Sequence, residues 1–142
     1  MEQRISIVTL GVKDLKKAFQ FYHHGLGFSA KGNPEEGIIF LKTSFTCLAL
    51  YPIEKLAADI GVRANKSSNG FSGMTLAHNV REKKQVKAIL SLAEQSGGKI
   101  VKPAQDTFWG GHSGYFSDPD GYFWEVAWGA FDFREDGSLI IE

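Results

Sequence analysis

The sequence contains one pattern of predicted strands and helices twice, and this repeat constrains the fold more than any other feature. Residues 5–12 (ISIVTLGV) are apolar and β-branched, and an amphipathic helix is predicted after them. Residues 70–80 (GFSGMTLAHNV) begin the same order again, so that Val8-Thr9-Leu10 corresponds to Met74-Thr75-Leu76. Two similar supersecondary units in one chain usually pack together and share a core. The repeat therefore predicts two related modules.

Each half is predicted to have the order β-α-β-β-β. In the first half, Asp14 can cap a helix over residues 15–28, because its carboxylate can accept from amides of the first turn. Residues 37–52 then divide at 42–44 into two strands of a hairpin. In the second half, a helix over 81–98 and a short strand precede a hairpin closed by Asp118-Pro119-Asp120-Gly121, a typical tight-turn sequence.

This pattern predicts an α+β protein of 142 residues, short enough for one domain. Module 1 covers residues 4–51 and module 2 covers residues 71–128. A linker at 52–70 has a short amphipathic helix followed by a polar part at 65–70, and a tail follows at 129–142.

Composition excludes several classes of function. Lys and Arg together number 16, as do Asp and Glu, so the formal net charge is zero and gives no argument for nucleic acid or an anionic membrane. Cys47 is the only cysteine, which rules out an intrachain disulfide and a CxxC metal site. No apolar run reaches membrane-spanning length. We expect a soluble, cytoplasmic protein.

Two segments carry a resemblance to a known family. Residues 8–28 (VTLGVKDLKKAFQFYHHGLGF) resemble the opening of the vicinal oxygen chelate superfamily, also called the glyoxalase/bleomycin-resistance/dioxygenase group, and residues 116–128 (FSDPDGYFWEVAW) resemble its closing hairpin. The resemblance extends over residues 4–128. It implies paired βαβββ modules in a curled, half-open, barrel-like sheet, with a cavity on the concave face and helices on the convex face. It also implies a homodimer.

The same resemblance locates the family's metal-ligand positions. In metal-dependent relatives each module gives two ligands, and counting along the repeat puts these positions at Ile7, Leu48, Gly73 and Glu125. Only Glu125 has a donor atom, whereas zinc, nickel or iron would need three or more protein ligands. We therefore predict no metal site and no cofactor.

Several polar and aromatic residues are candidates for ligand contact, and each has a structural alternative. Glu125 is either a cavity carboxylate that binds a cation or acts as a base, or a fold residue held by hydroxyls or water. His112 is either a pocket residue or a hairpin histidine bonded to a carbonyl, and Trp109 is either a stacking wall or a core or dimer contact. The candidate ligand-binding residues are Glu125, His112, Trp109, Phe108, Phe123, Thr9, Leu48 and Thr75.

The leading functional prediction is a small-molecule-binding protein that lacks most metal-ligand positions and sequesters a drug or metabolite, like the bleomycin-resistance proteins it resembles. Its expected partners are a small molecule and a second copy of the chain, without nucleic acid or membrane. No catalytic residue is identified. One alternative is a metal-dependent lyase, isomerase or dioxygenase, with a site supplied, for example, by His112 and Glu125. Another is a non-catalytic partner-binding module that uses a sheet edge or the tail.

Overall fold

The computed structural model describes residues 1–65 and 70–141. It contains two compact units, Met1–Ser68 and Asn69–Glu142, and each has its own four-stranded sheet with both parallel and antiparallel pairs. Most of the predicted polar linker at 65–70 lies outside the described residues. No described helix combines the length and the apolar character that crossing a bilayer requires.

The first unit has the predicted β-α-β-β-β order. In its sheet the strand order is β1-β4-β3-β2, and the first strand runs parallel to the fourth. The helical segment begins as an α-helix and continues in π-helical geometry over Gln20–Gly25. The elements are β1 Ile7–Val12, α1 Leu15–Phe19, β2 Ala30–Lys31, β3 Ile39–Leu41, β4 Cys47–Pro52 and α2 Ile53–Ile60.

The predicted cap of α1 is confirmed. Asp14 has an extended backbone, and its carboxylate accepts a hydrogen bond from the Lys17 amide at 3.0 Å. The helix turns its apolar side, with Ala18, Phe21 and Tyr22, into the core of this unit. The segment ends at Gly25, and Nδ1 of His23 lies 2.7 Å from the carbonyl oxygen of Phe28.

The second unit repeats this order, with strand order β5-β8-β7-β6 and β5 parallel to β8. Its helix begins at a capping box, in which the Glu82 amide donates to the Gln85 side chain at 2.9 Å while the Glu82 side chain accepts in return. The elements are β5 Thr75–Asn79, α3 Lys83–Gln95, β6 Lys99–Asp106, β7 His112–Ser117 and β8 Phe123–Trp128.

The core of the second unit lies between α3 and one face of its sheet. Val86 and Leu90 of α3 are buried, as are Phe116 and Trp124, whose rings stack with centroids 6.0 Å apart. A Cβ placed on Gly114 would lie 2.5 Å from Cδ1 of Leu90, so the helix packs directly on the backbone of β7. Because side chains alternate along a strand, this contact identifies the sheet face that α3 covers.

The register expected between the two halves is wrong. Thr9 pairs with Ala49 in the first sheet, while Thr75 pairs with Phe123 in the second. The residue that corresponds to Glu125 is therefore Tyr51, two places after Ala49, and not Leu48.

Unequal hairpin loops explain the error. Six residues separate the paired Leu41 and Leu48 in the first unit, whereas three separate Asp118 from Tyr122 in the second. A count that starts from the two hairpin turns therefore misaligns β4 with β8 by three positions. An odd displacement moves a side chain to the other face of its strand. Cys47 accordingly has the phase of Thr9 and Ala49, opposite to that of Leu48.

The second hairpin is closed by a buried carboxylate. Asp118 exposes only 4% of its surface, and its Oδ1 accepts from the amides of Asp120 at 2.9 Å and Tyr122 at 2.8 Å. An aspartate side chain that bonds the backbone of its own turn replaces a backbone acceptor there. This turn fixes the pairing of β7 with β8 and hence the position of Glu125.

Candidate ligand-binding site

Glu125 lies on the face of the second sheet that points away from α3. It alternates along β8 with the buried residues Trp124 and Val126, and Val126 pairs with Gly114, which faces the helix. Its direct neighbours are Tyr115 on β7 and Ala77 on β5. The carboxylate is thus in the middle of three strands. We call this surface the Glu125 face.

Tyr115 lies directly opposite Glu125 on the neighbouring antiparallel strand. Partial burial raises the pKa of the Tyr115 hydroxyl, and the hydrogen bond to Glu125 and the carboxylate charge raise it further. A neutral tyrosine hydroxyl can donate to a carboxylate, and a carboxylate has further lone pairs that can accept from other donors. The ammonium of Lys102 lies 6.0 Å from the centroid of the Tyr115 ring. The pair therefore combines a carboxylate and a hydroxyl with the face of an aromatic ring.

Aromatic and small side chains lie beside this pair. Phe123 has the same phase as Glu125 and pairs with Thr75, and the Phe71 ring lies 6.0 Å from the Phe123 ring. In the opposite direction along the strands, the next pair in phase is Ser113 with Ala127, and both are buried.

Trp109 is at that end of the strand pair. Its ring covers the backbone of two glycines: a Cβ on Gly111 would overlap the ring, and a Cβ on Gly129 would lie 2.6 Å from it. Gly129 follows β8 in the phase of Glu125, which indicates that the ring lies toward the Glu125 face. Trp109 keeps 45% of its surface exposed, and Phe108 beside it is fully exposed. One side of the indole thus packs on glycine backbone, and the other side is exposed.

His112 lies on the opposite face, which corrects the prediction that it could share a site with Glu125. It pairs with Trp128, three positions along β8 from Glu125. Its Nδ1 lies 2.7 Å from Oδ1 of Asp106, and Nζ of Lys83 lies 2.7 Å from the same oxygen. The hydrogen bond from Lys83, and then the one from His112, lower the pKa of Asp106.

Two candidate residues belong to the first unit. Thr9 lies exposed on β1, whereas Leu48 is 5% exposed and pairs with the core residue Leu41. Leu48 thus packs within the core of the first unit, and its predicted ligand contact stays a prediction. In the second unit, Glu125, Phe123 and Thr75 share one face with Trp109 at its end.

The corrected register does not produce a metal site. The four positions become Ile7, Tyr51, Gly73 and Glu125, and isoleucine and glycine have no side-chain donor. Burial raises the pKa of Tyr51, and the charge of the Asp59 carboxylate and then a hydrogen bond to it add to the effect. Over residues 1–65 and 70–141, no group of three or more His, Cys, Asp or Glu side chains is arranged to hold an ion. This donor set does not fit a zinc or iron centre.

Sequence reasoning missed Tyr115 and Asp106. Tyr115 could have been found, because it and Glu125 lie equally far from Asp120 in the turn, and residues at equal distance from a hairpin turn face each other. Asp106 gave no such signal, because β6 shifts its register against β7 twice before it reaches His112.

Comparison with known proteins agrees with this architecture. The family model for the Glyoxalase/Bleomycin resistance protein/Dioxygenase superfamily matches residues 4–126. A glyoxalase-related enzyme from Fulvimarina pelagi has a similar structure, with 35% identity, a TM-score of 0.88 and 98% of both chains covered.

Two further solved structures show the same fold at lower identity. A hypothetical protein from S. aureus has 22% identity and a TM-score of 0.77, with 91% of this chain and 95% of that chain covered. A family enzyme from Burkholderia phytofirmans PsJN has 17% identity and a TM-score of 0.75, with 87% and 96% covered. No curated protein sequence matches significantly. The chain belongs to the glyoxalase/bleomycin resistance/dioxygenase superfamily.

Proposed function

We propose that the protein binds a planar, cationic small molecule on the Glu125 face and acts by sequestering it. The observation that carries this proposal is the Tyr115–Glu125 pair in the middle of a sheet face that has aromatic side chains toward both ends. Small-molecule sites typically combine a mostly apolar lining with a few polar groups that fix orientation.

The chemistry of this face fits an aromatic cation. The carboxylate supplies the charge partner, and the Tyr115 hydroxyl keeps it oriented. Phe123 and Trp109 supply aromatic surfaces for stacking and for cation–π contact. Residues 123–129 extend about 20 Å at the usual rise of an antiparallel strand, which is long enough for a fused-ring ligand.

The resemblance adds a curled, half-open, barrel-like sheet and a homodimer to the proposal, and the composition adds a cytoplasmic location. Light scattering after size exclusion tests the dimer, for which a mass of twice 15.7 kDa is expected. A monomer would contradict that part of the proposal and leave the Glu125 face to be tested separately.

Titration with a planar aromatic cation such as proflavine, followed by calorimetry, tests the ligand class. We expect saturable binding to the wild type, and about fivefold weaker binding to Glu125→Gln, because an exposed charge pair contributes up to about 1 kcal/mol. Glu94→Gln, an exposed carboxylate change on α3, is the matched control and should bind like the wild type. No binding over a panel of such cations would contradict the proposal.

A metal-dependent lyase, isomerase or dioxygenase is the second candidate, and the description of the Fulvimarina pelagi protein as an enzyme favours it. The lack of donor atoms at Ile7 and Gly73 is against it. Metal analysis of dialysed protein separates the two candidates. Stoichiometric zinc, nickel, manganese or iron would support the enzyme and contradict the ligand carrier.

A further inference from the structure

The segment after β8 folds back on its own unit. Residues 131–140 form a small hairpin in which Phe133 and Leu139 make an isolated bridge. The amide of Arg134 donates to the Ser138 carbonyl at 2.9 Å, and that of Ile140 donates to the Asp132 carbonyl at 2.9 Å. We call residues 131–140 the strap.

Arg81, which lies just before α3, contacts the strap in two ways. Its guanidinium donates through Nη2 to the Arg134 carbonyl at 2.8 Å and lies 4.6 Å from the centroid of the Phe133 ring. Arg134 in turn donates through Nη1 to the Leu139 carbonyl at 2.7 Å, which closes the hairpin. One arginine thus holds both the backbone and a ring of the strap.

An aromatic series connects this anchor to Trp109. The Phe133 ring makes an edge contact with Phe131, with centroids 6.5 Å apart, and the Phe131 ring lies 6.1 Å from the Trp109 ring. Phe131 also approaches Gly129, where a Cβ would lie 3.3 Å from its ring. The indole is therefore in contact with two glycine backbones and with the strap.

We propose that the strap is a positioning element for Trp109, and that Phe131 and Arg81 are its positioning residues. Phe131 restricts the indole to the surface over Gly111 and Gly129, and so fixes the aromatic wall of the site before a ligand binds. The wall's effect on ligand affinity rests on the proposed function; the packing of the indole does not. A preorganised ring loses less conformational freedom when it stacks on a ligand.

Fluorine NMR of protein labelled with fluorotryptophan reports the packing without a ligand. The three tryptophans give separate signals, and Trp109→Phe identifies the one from Trp109. We expect Phe131→Ala to shift the Trp109 signal and increase its solvent sensitivity, while the Trp124 and Trp128 signals stay in place. Arg81→Met should shift it in the same direction, which provides a second variant if Phe131→Ala folds poorly. Ile141→Ala, an 86% exposed position next to the strap, is the control.

A double-mutant cycle with proflavine tests the effect on binding. We expect Phe131→Ala to weaken binding about threefold in the wild type, as loss of one aromatic contact predicts, and not to weaken it further in Trp109→Ala. A general structural defect would weaken binding in both backgrounds and would overturn the proposal. An unchanged Trp109 signal in both strap variants would also overturn it. If the wild type binds no cation, the proposed function fails, and a shifted Trp109 signal still supports the positioning role.

Discussion

Tyr115 lies directly opposite Glu125 on neighbouring antiparallel strands, and the carboxylate adds to the burial that raises the pKa of the Tyr115 hydroxyl. A hydroxyl opposite the carboxylate lowers the cost of holding that charge within a partly apolar surface. The pairing is compatible with both interpretations that the sequence left open for Glu125, a residue held by a neighbouring hydroxyl and a carboxylate that contacts a ligand.

The first prediction concerns the ionisation of Tyr115. In Glu125→Gln the pKa of Tyr115 should fall part of the way to its ordinary value, because the carboxylate contribution disappears while burial, the largest cause, remains. Spectrophotometric titration of the phenolate measures this change. A Tyr115 pKa equal to that of the wild type would contradict an interaction between Tyr115 and Glu125.

The same raised pKa predicts how stability depends on alkaline pH. A tyrosine whose pKa is higher in the folded than in the unfolded state stabilises the fold below about pH 10 and loses this contribution as the pH rises through the folded pKa. The free energy of unfolding should therefore fall less steeply above about pH 10 in Tyr115→Phe than in the wild type. Urea denaturation over a pH series measures both slopes, and identical slopes would contradict the expectation.

The second hairpin depends on Asp118. Asp118→Ala should lower the free energy of unfolding by about 2 kcal/mol, because the part-buried amides of Asp120 and Tyr122 lose their acceptor. Asp118→Asn keeps an oxygen in that position and should lose less. Chemical denaturation compares the two variants, and equal losses would mean that the side-chain oxygen is not the stabilising group.

Gly114 allows α3 to pack closely on the sheet. A Cβ there would lie 2.8 Å from the Lys102 carbonyl oxygen as well as 2.5 Å from Leu90, so Gly114→Ala should cost about 1–3 kcal/mol of stability. Adding Leu90→Ala should not restore the loss, because the contact with the Lys102 carbonyl remains. If urea denaturation shows that the double variant fully recovers its stability, the contact with Leu90 alone causes the loss.

Asp106 should titrate at a lower pH than an ordinary aspartate, chiefly because of Lys83. NMR titration should show that Lys83→Met raises the pKa of Asp106 more than His112→Phe does. The ionised form contributes stability above the ordinary aspartate pKa, and this contribution is lost as the pH falls through the lower folded value. If the His112 variant has the larger effect, the assigned order of the two partners is incorrect.

The β-α-β-β-β order could be predicted from the sequence, because the apolar periods and caps such as Asp14 are local signals. The register between the halves could not, since it depends on loop lengths that differ between the hairpins. Because of that difference, the counterpart of Glu125 is Tyr51 and not Leu48, which lies in the core. The shared phase of Glu125 and Phe123 follows from the alternation of side chains along β8 alone. The Lys83–Asp106–His112 contacts and the strap depend on tertiary packing, which gives no local pattern.

Chemical-shift mapping by NMR tests the central claim most directly, because it locates a bound ligand on the backbone. With proflavine added to the isotope-labelled protein, the account predicts saturable shifts centred on the amides of Ala77, Tyr115 and Glu125, extending toward Trp109. Shifts confined to the other face of the sheet, around His112 and α3, or no saturable shifts at all, would contradict it.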